Sequence, residues 1–128
     1  MKKVIVASFL FLSLFVQAQR KSSSILYSGT LPCADCSGIV TYLELDSSQK
    51  IFRLEQTYSD KSEKVNRVDG VMKKKGNQWW LYDDKTIALR IQYFKGDVRV
   101  LDTKGKPITG SLSHAYILQK RQKAKLSQ

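Results

Sequence analysis

Hydrophobic and polar residues alternate with a period of two through most of the chain after residue 23. This alternation is typical of β-strands that have one buried face and one solvated face. In residues 51–59, for example, Phe52 and Leu54 share one face, while Arg53 lies on the other. The strands predicted in this way are 25–31, 39–46, 51–59, 65–73, 78–82, 86–94, 98–102 and 114–120.

Turn-forming residues separate the predicted strands at intervals of roughly 8–12 residues, which is typical of antiparallel barrels and sandwiches. Lys95-Gly96 has the form of a two-residue hairpin turn, because glycine readily adopts positive φ. Closing a series of hairpins into a barrel removes the exposed edges that an open sheet would leave. The sequence therefore predicts an all-β fold, a small antiparallel barrel of about eight strands in meander order.

The interior of an eight-stranded barrel is filled by side chains or holds one small ligand. Of the adjacent residues Trp79 and Trp80, only one can point inward, because neighbouring strand residues face opposite sides. The other tryptophan is expected to cover the outside or an opening of the barrel. The predicted inward-facing residues are Phe52, Leu54, Trp79 or Trp80, Leu81, Leu89, Ile91 and Tyr116.

The N-terminus has the layout of a secretory signal peptide. Two lysines follow Met1, residues 4–16 form an almost wholly apolar run, and a stretch with small residues ends at Ala18. A membrane-spanning helix needs about 20 apolar residues, so this run is too short to be an anchor. We therefore expect a signal peptide at 1–18, one domain at 19–120 and a basic disordered tail at 121–128.

A cleaved signal peptide predicts export across the inner membrane. No cysteine lies at the predicted cleavage site, and the first one in the chain is Cys33. The expected mature protein is therefore periplasmic, soluble and not a lipoprotein, and it has no transmembrane segment.

The chain carries 22 Lys and Arg residues against 11 Asp and Glu residues, a formal charge of +11. Much of this charge falls in two clusters, Lys73-Lys74-Lys75 and, towards the C-terminus, Lys120, Arg121, Lys123 and Lys125. The expected compartment, and the lack of a recognition helix or of interleaved aromatic and basic residues, argue against a nucleic-acid partner. The favoured interpretation is a solvated loop and a soluble tail. Weak contact with anionic envelope surfaces is the alternative.

Both cysteines of the chain, Cys33 and Cys36, lie three positions apart in "TLPCADCSGI" (30–39), which should form a turn at the barrel rim. A catalytic redox pair needs a helix N-terminus to lower the pKa of its first thiol. Here a β-type sequence follows Cys36, and Asp35 between the cysteines would raise the pKa of a thiol, so thiol catalysis is not favoured. In an oxidising compartment such a pair normally forms a disulfide. Closing so short a loop contributes only about 2 kcal/mol to stability.

Two thiolates at this spacing can also bind Cu(I), which favours thiolate ligands. Four-coordinate zinc would need two further ligands. His114 and Met72 are the other soft ligands of the expected mature chain, and neither is close in sequence. The candidate metal ligands are therefore Cys33 and Cys36, with Cu(I) as the hypothesised ion and a Cys33–Cys36 disulfide as the competing interpretation. A copper site that forms only after reduction of the disulfide is compatible with both.

Three sequence blocks occur in an order that resembles a known family: "GTLPCADCSGI" (29–39), "LDTKGKPI" (101–108) and "YIL" (116–118). From about residue 27 to residue 120, the chain resembles the N-terminal domain of the NlpE family, the copper-resistance and envelope-stress proteins of Gram-negative bacteria. The resemblance implies a small lipocalin-like β-barrel, in agreement with the strand count. It also implies a periplasmic binding or sensing role in which the two cysteines serve copper binding or redox sensing.

We therefore expect a periplasmic NlpE-like binding or sensing module that acts in copper resistance or the envelope-stress response through its CxxC motif. The alternative is a lipocalin-like carrier of a small hydrophobic ligand, with the CxxC pair as a structural disulfide. A third hypothesis is a structural envelope protein that meets its partner through an edge strand or the basic tail. The chain has no G-x-S-x-G elbow and no phosphate-binding glycine loop, so an enzyme is not expected.

Overall fold

The computed structural model of the protein describes residues 23–60 and 64–121. The chain forms a closed antiparallel barrel in which each strand pairs with the next, and the last strand pairs with the first. The strands are β1 (Ile25–Leu31), β2 (Ile39–Asp46), β3 (Ile51–Tyr58), β4 (Val65–Lys75), β5 (Gln78–Asp83), β6 (Thr86–Phe94), β7 (Asp97–Val100) and β8 (Ile117–Arg121). This topology confirms the predicted all-β meander barrel. The predicted signal peptide at 1–18 and residues 122–128 of the predicted tail lie outside the described residues.

The connection between β7 and β8 differs from the prediction at both of its ends. β7 ends at Val100, whereas a strand was expected to continue to residue 102. Leu101 still donates its amide to the carbonyl of Arg90 on β6 at 2.8 Å, but it forms an isolated bridge with Pro107. The last strand was predicted to begin at residue 114, but a short 3-10 helix occupies Ser113–Tyr116 instead. Its tight turn is held by the amide of Ala115, which donates to the carbonyl of Leu112 at 2.9 Å.

Side chains from all eight strands meet inside the barrel. Of the predicted inward-facing residues, Phe52, Leu54, Leu81 and Ile91 are buried, and Trp79, Leu89 and Tyr116 are partly buried against them. The prediction of the core is thus confirmed but incomplete. The buried hydrophobic residues that it left out are Tyr27, Leu31, Leu43, Leu45, Met72, Val98, Val100, Leu101 and Leu118.

Two side chains hold the seam where β8 closes the barrel. The guanidinium Nε of Arg121 donates to the Ser28 hydroxyl on β1 at 2.7 Å. On the other side, the amide of Lys120 donates to the carboxylate of Asp97 on β7 at 2.9 Å. β8 therefore includes Arg121, one residue beyond the predicted domain end at 120.

The β6–β7 hairpin confirms the turn predicted from Lys95-Gly96. Lys95 has φ of 50° and Gly96 has φ of 85°. Positive φ at both central residues is the signature of a type I′ turn, whose twist matches that of the flanking strands. The turn thereby sets the register of β6 against β7, in which Phe94 pairs with Asp97.

Asp102 organises the turn that follows β7. Its carboxylate accepts the amides of Lys104 and Lys106 at 2.8 and 2.9 Å. Its own amide donates to the Lys106 carbonyl at 2.9 Å. The side-chain amide of Gln78 donates to the carbonyl of buried Gly105, which ties this turn to the outside of β5.

We expect the barrel to lose stability in acid, in part through Asp102. The amide of Lys106, followed by that of Lys104, holds the pKa of Asp102 below its ordinary value, and the Ser48 hydroxyl and the Gln49 amide do the same for Asp46. A carboxylate with a lowered folded-state pKa stabilises the fold above its unfolded pKa, about pH 4, and this contribution disappears as the pH falls through the folded-state pKa.

We therefore expect Asp102→Asn to be less stable than wild type at about pH 6 and to approach wild type at about pH 3. Urea unfolding at both pH values measures this difference. A deficit of Asp102→Asn that stays the same at both pH values would show that the turn does not depend on the charge of Asp102.

Candidate functional site

Residues 32–38 join β1 to β2 at one end of the barrel, here called the Cys end. The β3–β4 connection lies at the same end, and two hydrogen bonds attach the loop to it. The amide of Ser59 donates to the Gly38 carbonyl at 3.0 Å, and the amide of Ser37 donates to the Asp60 carboxylate at 3.2 Å. The predicted location of the cysteines, in a turn at the barrel rim, is thus confirmed.

Cys33 and Cys36 form a disulfide within this loop, with a Cα–Cα distance of 5.3 Å. Both cysteines are half-buried, and Asp35 between them is exposed. The sulfur of Cys33 lies 3.5 Å from the Asp35 carboxylate, and that of Cys36 lies 3.4 Å from the Gly38 carbonyl. These approaches are contacts without a shared proton, because a disulfide sulfur carries no hydrogen. The bond is therefore accessible from solvent at the edge of the fold.

The backbone around the disulfide is that of a bent loop followed by a strand. Residues 34–37 form successive bends, and β2 begins at Ile39. A thiol in this position lacks the helix N-terminus that activates catalytic cysteines. The local structure therefore favours a disulfide or a two-sulfur metal site over thiol catalysis.

The other two candidate soft ligands lie in different surroundings. Met72 is buried in the core, and its amide donates at 2.8 Å to the carbonyl of Lys50, in a turn at the end opposite the Cys end. His114 is exposed on the 3-10 helix in the β7–β8 connection, which leaves the barrel at the Cys end. Among residues 23–60 and 64–121, no three His, Cys, Asp or Glu side chains are grouped closely enough to bind a metal ion. The structure thus leaves the two sulfurs as the candidate ligands.

The two tryptophans separate as predicted. Trp79 packs against the core, and Trp80 lies outside, where its indole nitrogen donates to the side-chain oxygen of Gln78 at 3.2 Å. Asp83 and Asp84 are exposed at the β5–β6 turn, as expected of solvated turn residues.

An outer surface on β4 to β7, here called the cationic–aromatic face, was not predicted from the sequence. Its members are Lys73, Lys75, Trp80, Tyr82, Arg90, Phe94, Lys95 and Arg99. Two interpretations made from the sequence are corrected by it. The Lys73-Lys74-Lys75 cluster ends β4 and is not a loop, and aromatic and basic residues do interleave, although they do so between strands. Register between strands is the information that a one-dimensional pattern lacks.

The sequence-family model of the NlpE N-terminal domain matches residues 27–111 of this chain. The matched segment contains the Cys loop, strands β2 to β7 and the Asp102 turn, and it makes up 85 of the 128 residues. The chain belongs to the NlpE N-terminal domain family. The resemblance seen in the sequence is thereby confirmed.

Two solved structures are similar to this chain. A candidate lipoprotein from Shewanella oneidensis has a TM-score of 0.66 and 35% identity, over 75% of this chain and 86% of that chain. The Cpx pathway activator NlpE from Escherichia coli has a TM-score of 0.55 and 25% identity, over 67% of this chain and 46% of that chain. This chain therefore spans about half the length of the E. coli activator. The comparison with curated proteins gave no match.

The two similar structures carry different descriptions. One is described as a candidate lipoprotein and the other as an activator of the Cpx pathway. In the part of the chain that the structure describes, no helix is long and apolar enough to cross a bilayer. The expectation that this chain carries no lipid stays a prediction.

Proposed function

We propose that this protein is a binding and sensing module of the bacterial envelope, and that its Cys33–Cys36 pair alternates between a disulfide and a Cu(I)-binding dithiol. The observation that carries the proposal is a closed, half-exposed cysteine pair on the rim of an NlpE-type barrel. The disulfide has no thiolate to offer a metal. Copper binding therefore requires prior reduction by an external dithiol, which is oxidised to its own disulfide as it supplies the two electrons and two protons that turn Cys33 and Cys36 into thiols.

The chemistry of the reduced pair suits Cu(I). Two thiolates can bind this soft ion in a nearly linear arrangement, and the ion displaces the two thiol protons as it binds. The Cα–Cα distance of 5.3 Å keeps both sulfurs within reach of one ion. Exposed His114 lies at the same end of the barrel but is not grouped with the cysteines, so the proposed ligands are the two sulfurs alone.

A change in the loop can also reach the neighbouring connection. Ser37 and Gly38, directly after Cys36, hydrogen-bond to Asp60 and Ser59. Opening the disulfide or binding copper would alter the geometry of residues 32–38 and thereby these two contacts. We propose that a partner at the Cys end detects the oxidation or copper-bound state of the sulfurs through these two hydrogen bonds.

The alternative function, transport of a small hydrophobic ligand, needs space inside the barrel. Large side chains bury one another in the middle of it, and several of them have no exposed surface: Leu43, Leu81, Ile91, Val98 and Leu118. An eight-stranded barrel whose interior is filled by side chains in this way has no room for a small ligand. The packed interior therefore favours the sensing module over the carrier.

Titration of the reduced protein with Cu(I) against a competing chelator tests the copper proposal. We expect the reduced wild type to retain one ion, and the double variant Cys33→Ser, Cys36→Ser to bind at least about tenfold more weakly, a difference of about 1.4 kcal/mol. The oxidised wild type should behave like the double variant. His114→Gln should retain Cu(I) as the reduced wild type does, because His114 is not grouped with the two cysteines.

Met72→Leu is the matched control, because it removes a soft ligand that is buried at the opposite end of the barrel. It should retain Cu(I) as the reduced wild type does. Equal retention by the double serine variant would show that the copper site lies elsewhere, and the proposal would then be wrong.

A further inference from the structure

Charge is unevenly distributed around the barrel. The described residues from 23 to 70 carry four basic and six acidic residues, a balance of −2. Residues 71–107 carry nine basic and four acidic residues, a balance of +5. The excess of positive charge thus lies on the β4–β7 side, which contains the cationic–aromatic face.

The two sides also use their cations differently. On the β2–β4 side, Arg53 pairs with Asp69 at 2.9 Å and Arg67 pairs with Glu55 at 2.6 Å. These are the ion pairs between described residues, and neither involves a residue of the cationic–aromatic face. There, cations lie over aromatic rings instead, which orders the side chains but does not neutralise their charge.

Five such contacts form the face. The amines of Lys73 and Lys75 lie 4.9 Å from the Tyr82 ring and 5.4 Å from the Trp80 ring, and the guanidinium of Arg90 lies 4.7 Å from the Trp80 ring. Lys95 and Arg99 lie 5.1 and 3.9 Å from the ring of Phe94. On the resulting surface, Lys and Arg side chains that are ordered by these contacts alternate with half-buried aromatic rings.

Strand register makes this face continuous. Lys73 pairs with Trp80 across β4 and β5, and Trp80 pairs with Arg90 across β5 and β6. On the next strand, Arg99 pairs with Gln92 of β6. Four neighbouring strands separated by about 4.8 Å give a surface roughly 14 Å wide.

Two clefts on the surface of the barrel lie outside this face. The larger of the two, about 440 Å³, is lined by Ser24 and by residues of β2 to β4 and the β2–β3 turn, including Glu44, Arg53 and Asp69. A smaller one, about 180 Å³, also lies on β1 to β3. Both clefts lie away from the cationic–aromatic face, so a small ligand or a peptide bound in either of them would not contact this face.

We propose that the cationic–aromatic face docks onto the surface of an anionic phospholipid bilayer. Lys and Arg side chains attract anionic headgroups, and tryptophan and tyrosine are the residues enriched at the membrane–water interface. The β4–β5 and β6–β7 turns border this face at the end opposite the Cys end. Docking there leaves Cys33 and Cys36 in the aqueous phase, so the proposal is independent of the copper proposal.

Vesicle sedimentation tests the docking. Protein carrying Lys73→Gln and Lys75→Gln is compared with the wild type on phosphatidylglycerol vesicles and on phosphatidylcholine vesicles. We expect the wild type to bind the anionic vesicles preferentially and less tightly as salt is raised. The double variant should bind them roughly 30-fold more weakly, the equivalent of about 1 kcal/mol for each lysine.

Lys64→Gln with Arg67→Gln is the matched control, because it removes two exposed cations from the opposite end of β4, about 20 Å or more along the strand from Lys73. It should change binding less than about threefold, since those charges lie beyond the screening length of roughly 8 Å from a bilayer on the proposed face. Both variants keep the same N-terminal residues, so any contribution of the apolar run at 4–16 cancels in the comparison. Equal losses in the two variants, or equal wild-type binding to both lipids, would overturn the proposal.

The position of Trp80 provides a second readout. With Trp79→Phe, the fluorescence of Trp80 should be quenched by vesicles of brominated phosphatidylglycerol. With Trp80→Phe, the fluorescence of Trp79 should not be quenched, because Trp79 packs against the core.

Binding of an RNA oligonucleotide distinguishes a bilayer from another polyanion. If the wild type binds RNA more tightly than vesicles at equal salt, and the Lys73→Gln, Lys75→Gln variant loses this RNA binding, the face is a polyanion site and the bilayer proposal is wrong.

Discussion

Replacing Gly70 with alanine is expected to destabilise the barrel by about 3–4 kcal/mol, the upper end of the range for overpacked sites. Gly70 lies on β4, opposite Phe52 of β3. A Cβ atom at this position would overlap the backbone carbonyl oxygen of Tyr82 and lie 3.0 Å from Cε1 of Phe52. A carbonyl in a closed sheet cannot move aside as a flexible side chain can, so the cost falls on the strand pairing itself.

The close approach at Gly70 arises from the way β4 changes partners. Residues 65–71 of this strand pair with β3, and its pairing with β5 begins only at Val71 and continues to Lys75. β4 therefore joins two halves of the barrel, and Gly70 stands where the second pairing begins. Glycine in a strand interior often marks such a bend or a close backbone approach.

Urea unfolding of Gly70→Ala and wild type measures this effect, and Val71→Ala is the matched control on the same strand. Val71 is 45% exposed on the outside of the barrel, so its truncation should cost less than about 1 kcal/mol. A stability of Gly70→Ala within that same margin would show that β4 and β5 can separate at Tyr82 without loss of the barrel.

Alternation of residues along each strand was sufficient to predict most strands and the inward positions of Phe52, Leu54 and Ile91. It failed where the pairing is irregular. The register of β5 against β6 shifts between Leu81 and Tyr82, which pair with Leu89 and Ile87 and leave Ala88 between them. Such a bulge changes which residues face the core, because each strand residue points to the side opposite its neighbour. Strict alternation with Leu89 and Ile91 would place Ala88 on the outer face, but it packs against the core instead.

The two candidate functional surfaces were unequally predictable for a related reason. Cys33 and Cys36 are three residues apart, so their proximity follows from the chain itself. The cationic–aromatic face brings together residues from four strands, and its contacts depend on the exact register of each pair. Lys75 and Arg90 meet at the ring of Trp80 although they are 15 positions apart in the sequence.

Leu81→Ala is the second change expected to have a large effect, and it also discriminates between the functions considered for this barrel. Leu81 has no exposed surface, and in the sheet it lies between Met72 of β4 and Leu89 of β6. Deleting a buried leucine side chain that its neighbours cannot replace costs about 3–4 kcal/mol, part for the lost burial and part for the cavity.

Urea unfolding gives the loss as a lower midpoint at an unchanged denaturant slope. Leu112→Ala is the control, because Leu112 is 56% exposed in the β7–β8 connection and its truncation should change stability by less than about 0.5 kcal/mol. A cost below about 1 kcal/mol for Leu81→Ala would mean that the interior is not close-packed around β5. The barrel would then have room for a small ligand, and the carrier function would be favoured over the sensing module.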